Sequence, residues 1–220
     1  GKKSFPEVVY LILKGELPSK AEAILIDAML VSCVDHGINV PTITSARTVF
    51  SAGTPFSTAV GAGILAIGEF HGGAVEQAAK FLSENKEKNA VDVVKQMRAE
   101  KKRIPGFGHK IYSTDPRTNR LLEIARENKF WGKTIDFAFE VEKELEKQSG
   151  KKLCLNVDGC IAALITEMGF DWRAGKAFFI IARSAGICAH VLEEWQREKP
   201  FRRLDENETS YDGPAKRELK

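Results

Sequence analysis

The sequence predicts an all-α protein. Apolar residues recur at helical spacing through most of its 220 residues, capping signatures stand where those runs begin and end, and no stretch alternates polar and apolar residues as a strand would. Ser4-x-x-Glu7 is a capping box that opens a helix over Phe5 to Lys14, and Gly15 closes it. Gly15-Glu16-Leu17-Pro18-Ser19 reads as a turn. A second helix is expected from Lys20 to His36, with Leu25, Met29 and Cys33 on one face and Gly37 at its end. Pro55 to Gly68 is apolar and rich in Gly and Ala, which points to close helix packing. Ala74 to Ser83 and Ala90 to Lys101 are amphipathic.

Pro105 to Thr114 reads as a loop. Thr114 or Asp115 then caps a helix that carries Pro116 in its first turn and runs to Asn128. Thr134 to Gln148 forms the next helix, followed by the short segment Leu153-Cys154-Leu155. Asn156 caps a helix over Val157 to Met168, and the last long helix covers Ala174 to Arg197. The tail from Pro200 is polar and irregular.

Composition narrows the class. Hydrophobic residues make up 43% and charged residues 29%, as in a globular protein that can bury a sizeable core. The net charge of +3 is mild, and basic residues are interleaved with acidic ones, so no nucleic-acid footprint is expected. Ala177 to Leu192 is the most apolar run. It is short for a bilayer and carries Arg183 and His190, so no membrane span is expected. Cys33, Cys154, Cys160 and Cys188 show no CxxC spacing and sit in apolar stretches. Free thiols in a reducing compartment, and a cytoplasmic protein without a signal-peptide pattern, are the expectation.

The chemistry-bearing residues gather at predicted helix ends. His36 stands at the C-terminal end of the second helix, where the dipole favours imidazolium; it is a carboxylate or carbonyl ligand, or a capping or core histidine. His71, in His71-Gly72-Gly73-Ala74, precedes a helix whose positive end disfavours imidazolium. A neutral donor there can polarise a carbonyl, and one such oxyanion donor is worth about 3 kcal/mol. His109 closes Gly106-Phe107-Gly108-His109, whose glycines let backbone N–H groups approach a ligand; no strand precedes it and GxGxxG is absent. Arg117, a cation in a first helical turn, calls for an anionic partner. Asp158, in the first turn after Asn156, is expected to be held ionised by the dipole and is a general-base candidate, or an ordinary capping residue. Arg183 interrupts an apolar helix and needs a partner, a ligand carboxylate or an acid such as Asp158. His190, two turns later, is read as packing. No HxxxH, HxH or clustered Cys/His spacing points to a metal site. One base, histidines of either charge and two arginines fit enolate chemistry on a small polycarboxylate.

At this point the chain resembles the citrate synthase superfamily. The matching segments are Leu13-Lys14-Gly15-Glu16-Leu17-Pro18, Asp35-His36-Gly37, His71-Gly72-Gly73-Ala74, Gly106-Phe107-Gly108-His109 with Asp115-Pro116-Arg117, Asn156-Val157-Asp158-Gly159, and Arg183-Ser184-Ala185-Gly186-Ile187-Cys188-Ala189-His190, in family order. Only Ser19 to Val34 separate the first two motifs. That compactness, with DHG and NVDG, is similar to short citryl-CoA lyases and to the citryl-CoA lyase module of ATP-citrate lyase.

The resemblance implies a fold and roles. The fold is a large helical domain (residues 1–73 and 162–220) and a small one (74–161), in a homodimer or larger homo-oligomer. The activity is cleavage of citryl-CoA to acetyl-CoA and oxaloacetate through an enolate, or, as the alternative, citrate synthesis; the CoA thioester is substrate and no cofactor is implied. A separate citryl-CoA synthetase is an implied partner. His71 would donate to the thioester oxygen, Asp158 would move the methyl proton, and His109 would serve the oxaloacetate carbonyl or the citryl hydroxyl. His36, Arg117 and Arg183 would hold carboxylates, and Arg202 or Arg203 would be supplied across the dimer. Pro105, Gly106, Phe107, Gly108 and Lys110 would lie against CoA, with Arg103. The stretch from His109 to Asp115 is one residue shorter than in usual synthases, with Ser113 where a basic residue is common.

Overall fold

Glu7 reaches back to the Ser4 backbone N–H at 2.8 Å, the expected capping box, and opens α1 (Phe5–Lys14); Gly15 closes it at φ +85°. This is a computed structural model that describes residues 1–109, 112–203, 207 and 210–218. The helices that follow are α2 (Lys20–Cys33), α3 (Pro41–Ser51), α4 (Phe56–Leu65), α5 (Ala74–Asn85), α6 (Ala90–Ala99), α7 (Pro116–Glu127), α8 (Lys133–Ser149), α9 (Val157–Glu167) and α10 (Ala174–Arg197). Among the described residues there is no strand, only isolated bridges at Gly68–His71, Gly68–Gly72 and Phe107–Leu155. The all-α expectation holds. The predicted caps recur as well: Asp115 accepts from the Arg117 N–H, and Asn156 accepts from the Gly159 N–H.

Two elements differ from the sequence reading. α2 stops at Cys33, three residues before His36; Arg183 of α10 takes the Cys33 carbonyl that a continuing helix would use. α3 was not anticipated. Its sequence, PTITSARTVFS, is rich in β-branched residues of modest helix propensity, and tertiary packing against α4 and α10 forms it. The sequence cue was Pro41 at the first helical position.

α9 is buried nearly all round, from Gly159 to Thr166, as its uniformly apolar sequence requires of a central helix. Around it α1, α2, α5, α6, α7, α8 and the start of α10 close the larger apolar cluster. A smaller cluster joins Ile43 and Ala46 of α3, Ala59 of α4, and Ile187 and Val191 of α10. α10 therefore runs through both. Its 24 residues give it the length and apolar character of a membrane span, but half of that apolar window is packed inside the protein. Cys33, Cys154 and Cys160 are buried free thiols, and Cys188 is half-buried.

Candidate active site

The loop before His109 and the start of α9 are joined through their backbones. Gly108 N–H donates to the Cys154 carbonyl at 2.7 Å, and Asn156 N–H to the Gly106 carbonyl at 3.0 Å. The Asn156 side chain donates to the Gly108 carbonyl at 2.9 Å and caps α9 with its oxygen. Gly106, at φ +88°, lies so close to Gly159 that a Cβ would come within 2.7 Å of the Gly159 Cα. The glycine of this motif therefore serves helix–loop contact. The contact sets Asp158, one residue before Gly159, beside the His109 loop.

Asp115 ties a second helix into the same corner. Its carboxylate is fully buried and accepts from the Arg117 N–H (3.0 Å), from the Arg117 guanidinium (3.1 and 2.9 Å) and from the Val157 N–H (3.0 Å). The N-termini of α7 and α9 thus share one anion. The anionic partner sought for Arg117 is this intramolecular one, and Arg117 still borders the cavity.

Asp158 departs from the lowered carboxyl that its place in a first helical turn suggests. Burial pushes its carboxyl above the ordinary range, and the neighbouring Asp115 adds to this against the opposing pull of Arg117, His36 and Arg183.

His71 faces Thr42 of α3, and its Nε2 lies 3.1 Å from the Thr42 hydroxyl, a side chain fully buried in the fold. With the hydroxyl as donor, the neutral ring carries its proton on Nδ1 and can offer it to a ligand. His71 is held below the usual histidine range, first by burial and then by the charges of Arg183 and His36. That direction agrees with the neutral ring expected from the sequence, with burial as its first cause. Gly72, at φ +81°, is packed under Phe179, which meets the His71 ring edge-on at 5.9 Å. The same Phe179 ring lies under the Arg183 guanidinium at 4.7 Å. Thr42 is the site residue that sequence reasoning missed, because its helix was missed.

Arg183 is 4% exposed; its Nε donates to the Cys33 carbonyl at 3.1 Å and its Nη1 has no acceptor among the described residues. A buried guanidinium with an unmet N–H at a cavity wall is built for an anion. His36 lies beyond the end of α2, so the helix-dipole argument for it is withdrawn; it nonetheless lines the same cavity. The Tyr112 N–H donates to His109 Nδ1 at 3.1 Å, and the two rings lie 4.7 Å apart. His190 does not merely pack: its ring nitrogens meet Asp35 and Glu193.

His36, His71, His109, Arg117, Asp158 and Arg183 line one cavity of about 250 Å³. Cys33, whose thiol burial pushes up to about 11, also borders it. A second, larger cavity of about 690 Å³ meets the first at Ala74 and His109. Arg103, Pro105, Gly106, Phe107 and Gly108 line it, and Arg98 and Lys102 join them. Lys110 lies outside the described residues. Arg202 and Arg203 do not line either cavity: Arg202 is bonded to the buried Glu194, which Arg47 also holds, and Arg203 stacks on Phe201. Among the described residues no group of three or more His, Cys, Asp or Glu could hold a metal ion.

Residues 19–204 match the family model described as the C-terminal domain of citrate synthase. The chain belongs to the citrate synthase family. It superposes on the citryl-CoA lyase of Hydrogenobacter thermophilus with a TM-score of 0.96 at 51% identity, covering all of this chain and 88% of that one. The ATP citrate lyase of Methanothrix soehngenii, solved with citrate and coenzyme A, matches 96% of this chain with 37% of its own at 27% identity, TM-score 0.86. Citrate synthase 2 of Bacillus subtilis is 31% identical over 94% of this chain. The chain spans about half the length of the curated citrate synthases it matches, 55% in that case.

Proposed function

We propose that the chain is a citryl-CoA lyase that cleaves citryl-CoA to acetyl-CoA and oxaloacetate. One observation carries the reading. A single cavity gathers a carboxyl raised by burial, a neutral histidine held by a buried hydroxyl, and a buried guanidinium with an unmet N–H. The likeness in sequence and fold to the citryl-CoA lyase of Hydrogenobacter thermophilus supports it.

In this reading Arg183, Arg117 and His36 hold the citryl carboxylates. His109 takes the proton of the hydroxyl on the carbon to be released as a ketone, at the Nδ1 lone pair once Tyr112 N–H gives it up. The bond from that carbon to the methylene next to the thioester breaks, and its electron pair moves to the thioester oxygen as an enolate. His71 donates a hydrogen bond to that oxygen. Asp158, protonated at the start as its burial favours, delivers a proton to the methylene and makes the acetyl methyl group. The proton on His109 then returns to Asp158 through solvent, which closes the cycle.

The CoA arm lies in the second cavity along Pro105, Gly106, Phe107 and Gly108, with Arg103 and Lys110 for its phosphates. Residues 74–161 act as the small domain whose closure keeps water from the enolate. A homodimer supplies Arg202 or Arg203 from the second subunit, and a separate citryl-CoA synthetase provides the substrate.

The 31% identity to a citrate synthase favours the second reading, condensation with thioester hydrolysis. Incubation with acetyl-CoA and oxaloacetate, then with synthetic citryl-CoA, decides. A lyase releases acetyl-CoA and oxaloacetate from citryl-CoA, whereas rapid appearance of free CoA from the first pair would sink the lyase reading.

A further inference from the structure

The residues leaving α2 run along one stripe of α10, each met in turn. Arg183 Nε holds the Cys33 carbonyl at 3.1 Å. About one turn later Gly186 leaves room for the Val34 carbonyl; a Cβ there would overlap that oxygen and stand 3.2 Å from Asp35 Oδ1. One turn further, His190 Nε2 meets Asp35 Oδ1 at 3.1 Å, while its Nδ1 meets Glu193 Oε2 at 2.9 Å. The other Asp35 oxygen accepts from the Gly37 N–H at 3.0 Å and so closes the loop around His36. His36, between these anchored residues, borders the cavity.

We propose that His190 is a positioning residue: from α10 it clamps Asp35 and thereby sets His36 against the bound polycarboxylate. The ring is fixed in plane by carboxylates at both nitrogens, and the loop has no helix of its own to hold it, since α2 ends at Cys33. Without the clamp the loop is tied at Cys33 and Val34 only, and His36 loses its fixed reach. The inference rests on the reading of the cavity as the oxaloacetate and citryl site.

The test measures oxaloacetate binding by calorimetry and steady-state cleavage of citryl-CoA in His190→Ala, His190→Gln, Asp35→Ala and the His190→Ala/Asp35→Ala double variant, with thermal melting as the check on folding. His190→Ala is expected to weaken oxaloacetate binding about tenfold and to raise KM with little change in kcat. His190→Gln, whose amide keeps a donor for Asp35, recovers most of the loss. The double variant binds no worse than either single one, since both remove the same contact. Gly186→Ala, which pushes the Val34 carbonyl off the stripe, gives the same pattern without touching the ring. Additive losses, or binding by His190→Ala within twofold of the parent, overturn the proposal. An independent readout is the imidazole NMR signal of His36, resolvable among four histidines. It moves in His190→Ala and returns in His190→Gln if the clamp exists, and stays put if it does not. Failure of the parent protein to bind oxaloacetate or cleave citryl-CoA would count against the proposed function, and the His36 signal would still decide the clamp.

Discussion

Gly159 lies directly against the carbonyl of Gly106, leaving no space for a side chain on either. This backbone contact couples the helix that carries Asp158 to the loop that carries His109. A methyl group at Gly159 would overlap the Gly106 carbonyl oxygen and the Leu155 side chain. Gly159→Ala is therefore expected to lose about 1–3 kcal/mol of stability by overpacking, read from denaturant unfolding. Citryl-CoA cleavage should fall further than stability explains, because the spacing of Asp158 and His109 changes. A variant with unaltered turnover would show that the contact does not set that spacing.

Asp158 carries a linked effect on stability. Its carboxyl is raised in the folded protein by burial, so the native state binds a proton the unfolded chain has already lost. Its contribution is fully present below the unfolded carboxyl range and is lost as pH rises through the folded value. Asp158→Asn, a neutral mimic, should thus melt higher than the parent at neutral pH, with the difference vanishing in acid. The same variant should lose about 10²–10⁴-fold in turnover, since no proton reaches the enolate carbon. Melting scans across pH and single-turnover assays check both halves.

Thr42→Val keeps the shape of a buried side chain and removes the hydroxyl beside His71 Nε2. Leaving that nitrogen without its donor costs about 1–3 kcal/mol, which as transition-state energy is about a 5- to 150-fold fall in kcat. Oxaloacetate binding, which in the proposed mechanism does not use His71, should be unchanged by calorimetry. A drop in oxaloacetate affinity equal to the drop in kcat would move Thr42 out of this role.

Arg183→Met replaces a buried cation by an apolar chain of similar length. The apo protein should be as stable as the parent or more so, because the buried Nη1 group has no partner among the described residues and burial pulls the guanidinium below its ordinary range. Oxaloacetate should raise the melting temperature of the parent and leave the variant unmoved. A ligand-induced shift of equal size in both would place the carboxylate elsewhere.

Much of this was legible from the residues. The capping box at Ser4 and the caps at Asp115 and Asn156 are local chemistry, and local chemistry put α1, α7 and α9 where they are. The cavity-lining set of His36, His71, His109, Arg117, Asp158 and Arg183 was also visible as side chains out of keeping with their settings. What stayed hidden depends on distant partners. α3 forms because α4 and α10 pack on it, so Thr42 could not be found from its own segment. The last turn predicted for α2 is absent where Arg183 of α10 takes the Cys33 carbonyl. The upward shift of the Asp158 carboxyl was not foreseen because a helix dipole can be read from sequence position, whereas the depth of burial cannot.

α10 threads both apolar clusters, with Phe178 and Ala182 in the larger and Ile187 and Val191 in the smaller. Arg183 stands at the crossing. The cation that the proposed function sets against the substrate's charge thus sits where the longest helix passes from one apolar cluster to the other, so its position answers to the packing of both.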